Sequence, residues 1–260
     1  MAKNRESTVV RRNSILKKLR ECGEVFVDQL SDEFGVSEVT IRNDLDQLEK
    51  KRLLVRARGG AMSYDFRVGV DYSINEKDRI HFEEKLKIGR RAAKEVFNSE
   101  IILIDSGTTT AEFAKNLEDF ENLTVITNAI NIASLLINKS NINLIIPGGY
   151  MRKNAYSLVG PIAEKCLRNF NVDKLFLGVD SIDSKFGIYT PNIEEAHLNE
   201  IMIDVSREVI LLADSSKFNH RSFAFICSMD KVNKIITDEN ISDEDYNRMT
   251  DKGIEVIIAK

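Results

Sequence analysis

The sequence predicts an α/β protein in two parts. Residues 1–62 are expected to form a winged helix-turn-helix, and residues 99–260 a mainly parallel α/β domain. A linker and connecting helix over residues 63–98 join them. Three observations carry this. The first 60 residues hold three short stretches of helical apolar spacing, then a basic run turning on Gly59-Gly60. From Glu100 onward short apolar strands alternate with helical stretches, the pattern of a parallel sheet covered on both faces. Small polar residues recur where those strands end.

Arg11 to Arg20 places Ile15, Leu16 and Leu19 on one helical face, with Gly23 as its stop. Val25-Phe26-Val27 is a short apolar piece, and Asp28 is placed to cap a second helix that turns Leu30 and Phe34 inward. Gly35 turns the chain, and Ser37 is an N-cap for a third helix over 38–51. In that helix Ile41, Leu45 and Leu48 recur at i, i+4, i+7. Its start presents Ser37, Thr40, Arg42 and Asn43, residue types that meet phosphates and base edges when a recognition helix enters the major groove. Arg56 and Arg58 lie on the hairpin, suited to backbone phosphate or the minor groove. Two readings compete: a three-helix packing domain with an ordinary solvated face, and an N-terminal domain that binds protein rather than DNA.

Tyr64 to Asn75 reads as linker, and Glu76 to Phe97 as one long charged helix. Strands are then expected at 101–104, 124–127, 143–146, 174–179, 208–213, 234–237 and 255–258. Helices are expected after Thr108, Asn128, Pro161, Ile193 and Ser242. Ligands of open parallel sheets bind beyond the strands' C-terminal ends. The stretch from Ile101 to Thr110 is the sharpest instance. A buried strand meets Asp105-Ser106-Gly107, and a helix opens at Thr108. Helix-start amides, the missing side chain of Gly107, and the hydroxyls of Ser106, Thr108 and Thr109 suit a phosphate.

Other strand ends supply further polar groups. Arg152 and Lys217 are candidates to balance a phosphate; Asp105, Asn128, Asp180 and Glu195 are candidates for sugar hydroxyls; Gly149 belongs to the Gly148-Gly149 turn. Each has a plainer alternative: a helix cap for Asn128, a turn for Gly149, a solvated side chain for Lys217.

Composition narrows the function classes. The net charge is −4, yet the residues up to Met62 carry 13 Lys and Arg against 10 Asp and Glu, which leaves −7 for the remainder. That asymmetry points the basic end at nucleic acid. Cys22, Cys166 and Cys227 are isolated, as are His81, His197 and His220, so neither a disulfide framework nor a metal site is expected, and no cofactor is implied. No membrane span or signal pattern is visible, which predicts a cytoplasmic protein.

The N-terminal part resembles the DeoR family of bacterial sugar-metabolism repressors through Phe34-Gly35-Val36-Ser37, Thr40-Ile41-Arg42-Asn43-Asp44-Leu45, Leu48-Glu49 and Arg58-Gly59-Gly60-Ala61. The C-terminal part is similar to that family's sensor domain through Asp105-Ser106-Gly107-Thr108-Thr109, Gly148-Gly149, Gly178-Val179-Asp180 and Asp214-Ser215-Ser216-Lys217. Arg58 departs from the His that the family often has there. The wording around Phe176–Asp183 and Asp214–Asn219 looks most like the AgaR subgroup. The resemblance implies a repressor of a carbohydrate operon, amino-sugar by subgroup. Its partners would be double-stranded operator DNA and a phosphorylated sugar effector, and it would act as a homo-oligomer, dimer or tetramer. The sensor also resembles ribose-5-phosphate isomerase. That leaves an alternative, an isomerase with a DNA-binding appendage, in which Glu194 or Glu195 is the base and Lys217 the polarising cation. Against it, Tyr189-Thr190-Pro191-Asn192 stands where the isomerase has a lysine- and glycine-rich loop.

Overall fold

A computed structural model divides the chain into two compact units, residues 1–67 and 68–260. The structure describes residues 8–22, 24–51, 53–57, 59–62, 71–118 and 120–260. The predicted stop at Gly23 lies outside the described residues.

The first unit runs α1 (Thr8–Cys22), β1 (Glu24–Phe26), α2 (Val27–Phe34), α3 (Glu38–Lys50), β2 (Val55–Ala57) and β3 (Gly60–Met62). Ile15, Leu19, Leu30, Ile41, Leu45, Leu48 and Leu54 close its core. Gly35 takes φ +60 at the end of α2, where a side chain would be strained, and its N–H donates to Ser31 O. Ser37 Oγ accepts from Thr40 N–H at 3.2 Å, the cap the sequence predicts. Arg11 and Arg12 both bond the buried carboxylate of Asp44, at 2.6 and 2.7 Å, and tie α1 to α3.

Two details differ from expectation. The short apolar piece at 25–27 is mostly strand, and it joins the hairpin as a third strand in the order β1-β3-β2. The N-cap of α2 is Phe26, because the helix begins directly as the strand ends. Asp28 sits in the first turn, where its charge still favours the helix dipole.

The second unit opens with α4 (Ile74–Asp78) and α5 (Phe82–Ala93), then β4 (Ile101–Ile104), α6 (Thr108–Lys115), β5 (Leu123–Thr127), α7 (Ile130–Leu136) and β6 (Ile142–Ile145). A hairpin, β7 (Tyr150–Arg152) and β8 (Ser157–Val159), leads to α8 (Pro161–Leu167) and β9 (Val172–Gly178). Next come β10 (Ser181–Asp183), β11 (Gly187–Thr190), α9 (Ile193–Asp204), β12 (Ser206–Leu212) and β13 (Ala224–Cys227). The unit ends with β14 (Lys234–Asp238), α10 (Asp243–Asp251) and β15 (Glu255–Ala259).

All seven predicted strands pair in one parallel sheet, ordered β6-β5-β4-β9-β12-β14-β15. Alternate residues feed two cores. Ile102, Ile104 and Phe176 pack with Ile88, Phe113 and Ile132, while Leu103, Leu175 and Leu177 pack with Leu167, Leu198 and Met249. The chain leaves β4 toward one edge and β9 toward the other. A crevice therefore opens beyond the C-terminal ends of these two neighbours, the place where such sheets bind ligands.

The single helix expected over 76–97 is instead two. Arg79 to His81 interrupts it, with His81 in the left-handed region at φ +53. The break lets α4 carry Lys77 to Asp180 while α5 lies along α6. On α5, Gly89 lies directly against α6: a Cβ there would stand 2.6 Å from Glu112 C and 2.7 Å from Phe113 N. Gly89→Ala should therefore destabilise the protein by about 1–3 kcal/mol, the usual result of overpacking. A thermal melt should show this as a drop of about 2–4 °C per kcal/mol.

Candidate functional sites

At the crevice, α6 begins immediately after the turn that ends β4. Thr108, Thr109 and Thr110 are all buried, and a helix's first amides lack acceptors within the helix. Thr110 Oγ1 donates to Gly107 O at 3.1 Å, which holds the turn. Opposite, Gly178 ends β9 so close that a Cβ would lie 3.3 Å from Ser106 O. The two strand ends thus share one narrow, polar space.

Three carboxylates, Asp105, Asp180 and Glu195, interact here. Asp105 is buried, and its pKa is pushed well above the usual range. Burial is the main cause and the charge of Glu195 the next; bonds from the Ser106 amide and Asn199 offset part of the shift. Asp180 is only partly buried, and burial alone would raise its pKa too. Lys77 and Lys217, with a bond from Thr190 Oγ1 at 3.2 Å, bring it below the ordinary value instead. Glu195, fixed by its backbone N–H on the Asn192 cap at 3.0 Å, accepts from Ser157 Oγ at 3.0 Å and pairs with Arg152. Arg152 also pairs with Asp71.

Lysines interact with Asp180 and with Asp214. Lys85 is 4% exposed. Burial, then the positive charge of Lys217, push its pKa down to about 8, while Asp214 and Asp78 act against them. Asp214 is held below the usual carboxylate range: burial raises it, but Lys217, His81 and a bond from Ser216 outweigh burial. Lys77, Lys85 and Lys217 are therefore within electrostatic reach of one another.

Of the residues predicted from sequence, Asp105, Asp180, Glu195, Arg152 and Lys217 belong to this one connected group. Ser106 and Gly107 form the turn beside it, and Thr108 and Thr109 open α6. Asn128 is buried with its Nδ2 on Leu158 O at 3.5 Å, and its Oδ1 has no protein hydrogen-bond partner. Gly149 has a packing reason of its own: a Cβ would lie 2.6 Å from Val159 O, across the β7–β8 hairpin. Sequence reasoning missed Lys77, Lys85, Asp71, Thr190 and Ser157. Only Lys85 left a signal, a lysine in register with Ile88 and Ala92 on the helix face that is otherwise apolar and buried.

In the first unit, Arg42 and Asn43 are exposed on α3. Arg42 pairs with Glu38 one turn earlier at 2.5 Å, both about half exposed. Thr40 is engaged with Ser37 Oγ at 2.9 Å. Arg56 bonds Asp46 at 3.0 Å and Gly60 O at 2.7 Å, so its guanidinium fastens the wing to α3. Arg58 lies outside the described residues. Arg42→Ala should weaken duplex binding by about 1–3 kcal/mol, the worth of one base contact; a mobility-shift titration with a duplex selected from random DNA measures it.

Comparison with known proteins gives the same two parts. Residues 11–66 match the DeoR-like helix-turn-helix domain, and residues 80–239 the DeoR C terminal sensor domain. The chain is 38% identical, over 97% of its length and 94% of the relative, to a protein named for transcriptional repression of the aga operon in Escherichia coli O157:H7. It is 30% identical, over 88% of its length and 90% of the relative, to the glycerol-3-phosphate regulon repressor of Escherichia coli K12. Among solved structures, ribose 5-phosphate isomerase A from Methanocaldococcus jannaschii aligns with a TM-score of 0.40 at 20% identity, over 54% of this chain and 55% of that one. Among the described residues, no helix is long and apolar enough to cross a membrane.

Proposed function

This chain belongs to the DeoR family of DNA-binding transcriptional regulators, and from that premise we propose that it represses a carbohydrate catabolic operon, an amino-sugar one, and is released by a phosphorylated sugar. The isomerase alternative is set aside, because the full-length relatives are named as regulators. The observation that carries the effector reading is the juxtaposition of a cationic group, Lys77, Lys85 and Lys217, with a carboxylate group, Asp105, Asp180 and Glu195, beside the start of α6. A phosphate suits the helix amides and the lysines. Sugar hydroxyls, or the ammonium of an amino sugar, suit the carboxylates and the unpartnered Oδ1 of Asn128. Operator binding by a homo-oligomer, dimer or tetramer, fits the paired half-sites that helix-turn-helix proteins read.

The segment leading from the wing supports a route for the signal. Asp71 pairs with Arg152, Asn154 Nδ2 donates to Asp71 O at 3.1 Å, and Ile74 N–H donates to Asn154 O at 2.7 Å. Lys77, one turn on, pairs with Asp180. Residues 71–78 are thus strapped down by two effector-site side chains, Arg152 and Asp180. An effector that competes for Arg152 and Lys77 loosens the strap and shifts the population away from the DNA-competent form.

A thermal-shift series tests the effector reading. Phosphorylated amino sugars and hexoses should raise the melting temperature through mass action, and the unphosphorylated sugars should not. Affinity should also depend on pH. Lys85 loses its proton as pH rises through about 8, and a phosphate monoester loses its second charge below about 6. Binding should therefore be tightest between these limits, falling by at most about tenfold per pH unit above 8. A calorimetric series from pH 5.5 to 9.5 checks this.

A further inference from the structure

We propose that Val39 reads the 5-methyl group of a thymine in operator DNA. The inference rests on α3 entering the major groove. Val39 is the second residue of α3 and stands 61% exposed. The exposed positions of this helix are Glu38, Val39, Arg42, Asn43, Gln47 and Lys50, and Val39 is the only apolar side chain among them. The first unit has no use for it internally: the helix's other apolar positions, Ile41, Leu45 and Leu48, are buried in the core, and Val39 faces away from them. Arg42 and Asn43 lie three and four residues on and share its face. Those two can donate to guanine or adenine edges, while the one apolar feature of the major-groove edge is the thymine methyl. A β-branched side chain also loses little freedom on contact, since its rotamer in a helix is already fixed. Charged and amide neighbours cannot recognise that methyl, so Val39 adds a base to the code that Arg42 and Asn43 cannot supply.

The test uses the full-length protein and its tightest duplex, selected from random DNA. Each thymine is replaced singly by deoxyuridine, which removes the methyl and nothing else. For the native protein, one position per half-site should lose about fourfold in affinity, the worth of one buried methyl. For Val39→Ala that same substitution should have no effect, while the steep salt dependence from phosphate contacts remains. An absence of any deoxyuridine effect in the native protein would overturn the proposal. So would a deoxyuridine effect that persists unchanged in Val39→Ala. Because the readout is one methyl on a duplex the native protein already binds, its failure leaves the repressor reading intact. Failure of that reading would show earlier, as an absence of selected duplex.

Discussion

Replacing Lys85 with methionine is expected to weaken the response to effector by roughly 10- to 100-fold while leaving the protein at least as stable as before. The two halves of that expectation come from one fact. Lys85 is almost completely buried, and burial together with the charge of Lys217 lowers its pKa to about 8. Its charge is therefore disfavoured in the folded chain without an anion. A group whose folded pKa is depressed below 10.5 costs stability at every pH where the unfolded chain is protonated, and the cost is fully present below about pH 8. Methionine fills similar space without charge. What opposes the gain is the 2.5 Å bond that Lys85 Nζ donates to Lys77 O, which the variant loses. The functional loss should be large, because a charge-assisted bond in a desolvated site is worth about 1.5–3 kcal/mol. That corresponds to roughly 10- to 100-fold weaker effector binding, at a rate of tenfold per 1.4 kcal/mol. Calorimetry and a melt on one preparation separate the two. A variant that melts lower and binds effector normally would mean that the lysine is structural.

Asp71→Asn is the second large effect. Arg152 pairs with Asp71 on one side and Glu195 on the other. Removing the Asp71 charge keeps the side chain's shape but weakens the strap over residues 71–78, and it leaves Glu195 as the partner. Without effector, the variant should already behave as partly induced, with operator affinity lower by roughly tenfold, within the coupling of about 1–3 kcal/mol usual between linked sites. It should also need less effector for full release. The amide of Ile74, bonded to Asn154 O, should exchange faster. Native operator affinity with an exchanging Ile74 amide would show that the strap moves without consequence for DNA.

Much of this molecule is legible in its sequence because apolar periodicity is set by burial. The central strands of the parallel sheet are buried on both faces, so they carry continuous apolar runs such as Ile102–Ile104, Leu175–Leu177 and Val209–Leu212. The cap at Ser37 and the turn at Gly35 are equally local signals. What escaped reading is short or depends on distant partners. The hairpin strands at 150–152 and 157–159, and the small antiparallel sheet at 181–183, 187–190 and 224–227, are three or four residues each, too brief for a period to register. The break at His81 was hidden because Glu76 to Phe97 is rich in strong helix formers. The break separates Lys77, bonded to Asp180, from Gly89, packed on α6, two distant contacts that local propensity does not encode.

The site divides in the same way. Strand-end residues such as Asp105, Asp180 and Lys217 were visible because topology sends strand ends to one edge. Asp71 reaches that edge from a segment that reads as linker and Lys77 from the start of the expected helix, eighty residues from Arg152 and more than a hundred from Asp180, respectively. No spacing rule connects such pairs; only the folded chain does.

The central claim is that a phosphorylated sugar, held where β4 and β9 end, controls how tightly the N-terminal unit grips DNA. Fluorescence anisotropy of the full-length protein on its labelled, selected duplex tests this most directly, with amino-sugar phosphates, hexose phosphates and the matching unphosphorylated sugars added in turn. The account predicts that at least one phosphorylated sugar releases the duplex at concentrations where its unphosphorylated counterpart does nothing, and that Lys85→Met stays bound at the concentrations that just release the native chain. Release by the free sugar at the same concentration, or release of Lys85→Met as readily as the native chain, would contradict it.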